Sequence, residues 1–365
     1  MNPGSAVSVL KFGGSTFATP SRYREVAAMI RRRAAESGEG QVVVVSAMPG
    51  DTERLRQRVH AACAVPGQNA LVSLLPMADT MSALLLAAAL DAEGRVAEVL
   101  TGQATGFTTR GSPLWATLSG IDPAPLRDAL RRGSCVVLPG GQAGDESGRP
   151  TWLGKNSSDL SAVAAAVATG AAHCEIFSDV DGVYSCDPRV VEESRLLGEV
   201  AYPLAQRLTR YGAKVLHPEA VRLAARHGLR IVCAANTPPY RRGSVIGGID
   251  SAEEPGAVVL NRLSRAFTSP SVSSAEETAA QLAAEGINAL AAHTRKGPVV
   301  LVIGGYVDLG EVCERRGVAL GGPAGIPVVG IEGERVEVHL ADDEAAGVAL
   351  ARSLHGRLLP SLAPS

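Results

Sequence analysis

"VLKFGGSTF", residues 9–17, runs from apolar strand residues through a lysine and two glycines to two hydroxyls. Val7, Val9 and Leu10 read as a buried strand. Glycines directly after a strand let the backbone turn and present its N–H groups to a ligand brought close. Lys11 adds a mobile positive charge at the strand end. The combination predicts a seat for an anion on a strand-to-helix turn.

The pattern repeats outward from that turn. The following helix is expected to take Thr19 as its cap and Pro20 as its first residue, and to end at Ser37-Gly38. "QVVVVSAM" (41–48) is a second buried strand, followed by helical 51–64 and 68–93. "VAEVL", "SCVVLPGG", "CEIFSDV" and "RIVCAAN" read as further strands, separated by helical stretches such as "DLSAVAAAVATG" and "PEAVRLAARHG". Fully apolar strands alternating with helices predict an α/β fold, a mostly parallel sheet sandwiched by helices. Ligands of such sheets sit at the carboxyl ends of the strands. That is where the polar, Gly-bearing loops "KFGGST", "SAMPGDT", "PGGQAG" and "SDVDGVYSCDPR" fall. After residue 262 short strands alternate with single helices and predict a small α+β domain. The expected organisation is one domain over 1–262 and a second over 263–365, with Ser273 and Glu276 spaced for a capping box.

Composition removes several functional classes. A net charge of -2 gives no electrostatic footprint for nucleic acid, and 4% aromatic residues leave few stacking platforms. The apolar run Leu84–Leu90 is far too short to span a bilayer, and "MNPGSAVSVLKFGG" lacks the basic region of a signal peptide. No membrane partner and a cytoplasmic location are therefore expected. The six cysteines are scattered, with no C-x-x-C and no clustered histidines. They read as small buried hydrophobes in a reducing compartment, with no protein-held metal.

The familiar phosphate loops are missing: there is no G-x-x-x-x-G-K-[ST], no H-R-D-x-x-x-x-N, and "FGGSTF" does not fit G-x-G-x-x-G. Taken singly, Asp187-Pro188-Arg189 would be a turn with a surface ion pair, Lys214 a helix-end cation and Tyr184 a core residue. In order, however, "VLKFGGST", "VVVVSAMPGDT", "LTGQATGFTT", "WLGKNSSDLSAVAAA", "EIFSDVDGVYSCDPR" and "GAKVLHPEA" resemble the aspartate kinase branch of the amino acid kinase family over residues 6–247. The C-terminal domain resembles a shortened ACT-type regulatory and oligomerisation region, best in "VEVHLADDEAAGVALARSLHG".

That resemblance implies transfer of the γ-phosphoryl group of ATP to the side-chain carboxylate of aspartate, with Mg2+ held mainly by ATP oxygens, in a homo-oligomer, a dimer. A carboxylate is ionised at neutral pH, so no general base is required, and catalysis reduces to positioning two anions and neutralising charge. Lys11 matches the lysine between acceptor and γ-phosphate. Gly13, Gly14 and Ser15 would offer donors to the moving phosphate, and Asp159 is retained with them. Ser178, Asp179, Tyr184, Asp187 and Arg189 match the loop that wraps the nucleotide, and Lys214 the lysine on its phosphates. His217 is expected to be structural, because this transfer needs no imidazole.

The acceptor side departs from the family. Ser46, Thr52 and Ser158 are kept, but Asp79 stands where a glutamate usually holds the substrate ammonium. Lys155-Asn156-Ser157 replaces an Arg-Gly-Gly run. Lysine lacks the guanidinium fork that would clamp an α-carboxylate. The resemblance leaves three readings: an aspartate kinase with a retuned pocket, a relative that phosphorylates another small amino acid or carboxylate, and a catalytically silent ligand-sensing paralogue. Opposite charges for ammonium (Asp79) and carboxylate (Lys155) favour aspartate.

Overall fold

The computed structural model describes residues 6–248, 255–304 and 309–359. The chain divides into two compact units, residues 1–182 with 219–248, and residues 183–218 with 249–365.

Seven strands of the first unit are consecutive members of the central sheet: β1 (Val7–Phe12), β2 (Gly40–Val45), β3 (Ala97–Val99), β4 (Cys135–Pro139), β5 (His173–Ser178), β6 (Arg230–Ala235) and β7 (Arg242–Gly247). Their order is β7-β6-β5-β1-β2-β4-β3. All neighbours are parallel except the β6–β7 pair. β2 and β4 are buried along their whole lengths, as strands covered on both faces must be. Helices α1 (Ser21–Ser37), α2 (Asp51–Ala62), α3 (Met77–Ala92) and α4 (Ser158–Thr169) belong to this unit. Leu10, Phe12, Val43 and Val45 bury against Tyr23, Met29 and Ile30 of α1 and Leu86 and Leu90 of α3. α4, buried from Ser158 to Ala166, packs on β1 and β2. A small four-stranded sheet, in the order Thr117–Ile121, Phe107–Arg110, Gln142–Asp145, Pro150–Trp152, lies beside them.

Helix ends differ in detail from expectation. α1 begins at Ser21 with Pro20 in the cap position; the Thr19 hydroxyl pairs with that of Ser21 at 2.9 Å instead of capping. Gly38 closes the helix in the left-handed region, φ 69°, as its position implied. The expected 68–93 helix is two, Gln68–Leu74 and α3, because Pro76 cannot continue the hydrogen-bond ladder. By length and composition the Gln68–Ala92 stretch is apolar enough to cross a membrane, contrary to the expectation from its parts. Half of its most apolar window is buried in the fold, as in a core helix.

The second unit carries an antiparallel sheet in the order Ala257–Leu260, Pro323–Glu332, Arg265–Thr268, Gly297–Val302, Ala289–Thr294, with Arg335–Ala341 also paired to Pro323–Glu332. Helices Tyr202–Arg210, Val272–Ala284, Leu309–Arg316 and α5 (Glu344–Leu358) accompany these strands in an α+β pattern. Ser271, not Ser273, caps the first of these: its extended backbone lets its hydroxyl accept the Ser274 N–H at 3.1 Å. Asp343 caps α5 through the Ala346 N–H at 2.8 Å. The units do not follow a single cut at 262. Residues 183–218 join the C-terminal strands because Cys186, Val190 and Val191 bury against Val258, Val328, Ala351 and Leu354. Cys135, Cys174, Cys186 and Cys233 are buried free thiols, while Cys63 is exposed and Cys313 partly so.

Candidate functional site

Side chains alternate along a strand. Leu10 and Phe12 enter the core beside α1 and α3, so Lys11 between them is sent to the face where α4 begins. There its Nζ lies 2.7 Å from Asp159 Oδ1, both side chains about one-tenth exposed. Asp159 is the second residue of α4, after Ser157 at the cap position. The positive end of the helix dipole suits a carboxylate there.

Three glycine-bearing loops converge on this pair. At Gly14 an added Cβ would lie 2.6 Å from the Ala47 carbonyl oxygen, so only glycine lets the β1 loop come that close to the β2 loop. At Gly140, in the β4 loop, an added Cβ would lie 2.4 Å from Ser158 Cβ. The Ser46 and Ser158 hydroxyls are paired at 2.7 Å, tying the β2 loop to α4. Gly14→Ala is expected to cost about 1–3 kcal/mol, the scale of overpacking against backbone that cannot yield, read as a fall of several degrees in Tm by thermal denaturation.

Asp79, in the first turn of α3, accepts the Ala47 N–H at 2.9 Å and is 8% exposed. Burial pushes its carboxyl up to about 7, against the pull of the Ala47 hydrogen bond and the Lys11 charge. The start of α3 thus sets against the β2 loop a carboxyl whose ionisation is pushed up toward neutral pH.

The donors around the Gly-Gly turn are only partly those expected. The Gly13 N–H is already donated to the Phe177 carbonyl at 3.1 Å, which leaves Gly14 and Ser15 for the donor role. Two residues that spacing did not single out hold the turn. Asn236, following β6, donates through Nδ2 to Ser15 Oγ at 3.0 Å, and Arg22 donates to the Asn236 carbonyl at 2.7 Å and to that of Thr16 at 3.2 Å. The only signal for Asn236 was its place at the carboxyl end of a parallel strand.

The structure brings Lys11, Gly13, Gly14, Ser15, Ser46, Asp79, Ser158 and Asp159 together in the first unit. Thr52 is half-buried in the first turn of α2, behind the left-handed Gly50. Lys155 is exposed on the turn into α4, Asn156 adopts φ 64°, and the buried Ser157 hydroxyl is donated to the Gly154 carbonyl at 2.6 Å. Ser178, at the end of β5, makes a local turn through the Val180 carbonyl at 2.6 Å, with Asp179 exposed beside it. The remaining nucleotide-side candidates belong to the second unit. Tyr184 is on the two-residue strand Val183–Tyr184, paired with Leu196–Leu197. Asp187 receives Arg189 through both carboxylate oxygens at 3.0 Å. Burial raises the Asp187 carboxyl, but the Arg189 hydrogen bonds and the charges of Arg189 and Arg262 outweigh it and hold the group below the usual range. Lys214 is exposed on the turn after helix Tyr202–Arg210.

Fold and site together define an α/β protein whose glycine loops gather a buried Lys–Asp pair at the carboxyl edge of a parallel sheet. Residues 6–235 match the model of the amino acid kinase family, and the chain belongs to that family. It is 35% identical to the aspartokinase of Mycobacterium bovis over 259 residues, 71% of this chain and 58% of that protein. It is 33% identical to the aspartokinase of Pseudomonas aeruginosa over 261 residues, 70% and 63% respectively. The chain thus matches about three-fifths of the length of these relatives. The crystal structure of E. coli aspartokinase III in complex with aspartate and ADP (R-state) superposes with a TM-score of 0.75. It covers 97% of this chain and 100% of that one at 19% identity, and so shares the fold.

Proposed function

We propose that this chain transfers the γ-phosphoryl group of ATP to the side-chain carboxylate of L-aspartate, giving 4-phospho-aspartate. The observation that carries the reading is the buried Lys11–Asp159 pair beside the Gly-Gly turn. The aspartokinase names of the relatives support the choice of acceptor. An ionised carboxylate oxygen attacks the γ-phosphorus; the new O–P bond forms as the bond to the β–γ bridging oxygen breaks, and ADP leaves with that electron pair. No proton has to move, so the work of the protein is to hold two anions together and offset the charge. Lys11 supplies that charge from a place fixed by Asp159. The Gly14 amide and the Ser15 hydroxyl add donors aimed at the moving group. Asp79 would take the acceptor's ammonium, and Ser46, Thr52, Lys155 and Ser158 would complete the acceptor side.

Ser178, Asp179, Tyr184, Asp187, Arg189 and Lys214 would hold the nucleotide. Among the described residues no three His, Cys, Asp or Glu side chains gather in a metal-binding group. A Mg2+ ion would be carried chiefly by phosphate oxygens, where it would neutralise their charge. A catalytic domain over 1–262 would therefore include residues 183–218 of the second unit, and 263–365 would act as an ACT-like regulatory and oligomerisation region in a cytoplasmic homodimer.

ADP formation measured over a panel of acids tests the reading. L-Aspartate is expected to give the fastest turnover, with a KM raised by the loss of the arginine fork. A second reading, a related acid as the true acceptor, is favoured by Asn156. A side chain sits at φ 64°, a left-handed backbone that favours glycine, where the resemblance leads to glycine. An acid turned over more than tenfold faster than aspartate would establish that second reading. No ADP with any acid would leave the silent paralogue.

A further inference from the structure

The segment that carries Tyr184, Asp187 and Arg189 is held by the C-terminal helix. Ser185, between Tyr184 and Cys186, is fully buried and bonded on every side. Its N–H donates to the Arg195 carbonyl at 2.9 Å, and its carbonyl accepts the Val258 N–H at 2.7 Å. Its hydroxyl accepts the Arg195 N–H at 2.9 Å and pairs with His355 Nε2 of α5 at 2.9 Å. His355 is itself 5% exposed, unusual for a helix-end histidine that had only to stay hydrated. One turn earlier on the same helix, Arg352 Nε donates to the Val190 carbonyl at 3.2 Å. Cys186, Val190 and Val191 pack on Ala351 and Leu354, also of α5. The ion pair of Arg262 with Glu344, at 2.7 Å, joins the start of α5 to an arginine whose charge reaches Asp187.

We propose that His355 is a positioning residue for the nucleotide: by fixing Ser185, α5 sets the backbone that presents Tyr184 on one side and Asp187 on the other. This rests on the reading of 183–189 as a nucleotide-binding segment. The C-terminal helix is built into the segment that meets ATP, so a change in α5 alters nucleotide affinity before it alters acceptor affinity. A purely structural histidine would lower stability without separating the two.

The test is Mg-ATP binding by calorimetry on the full chain, with no acceptor present, alongside KM for ATP and for aspartate. His355→Leu keeps the bulk and removes the hydrogen bond; His355→Gln returns an amide at the depth of Nε2; Ser185→Ala removes the partner. His355→Leu and Ser185→Ala are each expected to weaken Mg-ATP about five- to tenfold, the scale of one buried hydrogen bond. The double variant should be no worse than either single, KM for aspartate should stay within twofold, and His355→Gln should recover most of the affinity. Mg-ATP affinity within twofold of the parent in both His355→Leu and Ser185→Ala overturns the inference and leaves the kinase reading standing. If His355→Leu does not fold, Ser185→Ala and His355→Gln decide the matter. A parent chain that binds no Mg-ATP overturns the nucleotide reading and the inference with it.

Discussion

Lys11→Ala lowers turnover by two orders of magnitude or more, while Mg-ATP affinity falls much less. The first part follows from where the charge sits. Lys11 Nζ is held 2.7 Å from Asp159 in a site from which water is largely excluded, so its charge acts at short range and without reorganisation. Loss of one such preorganised group costs about 10²–10³ in kcat. The substitution also takes the positive charge from beside the buried Asp159 carboxylate, and that negative charge would then face an incoming phosphate with no lysine to offset it. The second part follows because the residues proposed for the nucleotide, Lys214 and the 178–189 segment, remain. Steady-state turnover by ADP release, paired with Mg-ATP calorimetry, checks both parts. Turnover within a few-fold of the parent would mean that the opening loop does not serve the reaction.

KM for aspartate falls as pH rises from about 6 to 8, and Asp79→Asn raises it tenfold or more at pH 8 while flattening the slope. Asp79 carries a carboxyl that burial has pushed up to about 7. Below that pH the group is neutral and offers an ammonium little; above it the group is ionised and binds the cation with a charge-assisted bond, worth about 1.5–3 kcal/mol. Bound ammonium in turn favours ionisation, so binding near pH 6 should release a proton.

Stability runs the other way. The folded pKa lies above the unfolded value of 3.8, so the native chain holds the extra proton between about pH 4 and 7. By linkage this group lowers stability progressively as pH rises through that window, with the full cost present above it. Asp79→Asn should therefore be at least as stable as the parent at pH 8 while binding aspartate worse. Chemical denaturation at pH 5 and pH 8 would show it. A variant with unchanged KM and an unchanged pH profile would remove Asp79 from the acceptor site.

How much of this was legible in the sequence depends on the range of the interaction. The "VVVV" of β2 and the apolar run before Lys11 are local, and they announced a sheet covered on both faces with a charge at a strand end; that this charge meets the start of α4 is visible only in the fold. The glycines at 13, 14, 140 and 141 marked loops at one sheet edge, and at Gly14 and Gly140 the reason is close approach of backbone or helix, which spacing alone cannot display. Lys11 was read as part of an anion seat from its own stretch, whereas Asp159 entered the site through family resemblance, since nothing in either stretch names the other. Arg22 and Asn236 were missed because the bonds that seat Asn236 on the β1 turn join residues 214 and 221 positions apart. The attachment of 183–218 to the C-terminal strands was hidden for a similar reason. Cys186, Val190 and Val191 look like core residues of any domain, and only packing says whose core they fill.

The central claim is that the Lys11 centre makes an acyl phosphate on aspartate. Incubating the chain with Mg-ATP, L-aspartate and hydroxylamine traps that product as a hydroxamate, which identifies both the bond formed and the acid that formed it. The expected result is aspartate β-hydroxamate appearing in step with ADP, and falling about a hundredfold or more with Lys11→Ala. ADP release without any hydroxamate, or hydroxamate formed at the same rate by Lys11→Ala, would contradict it.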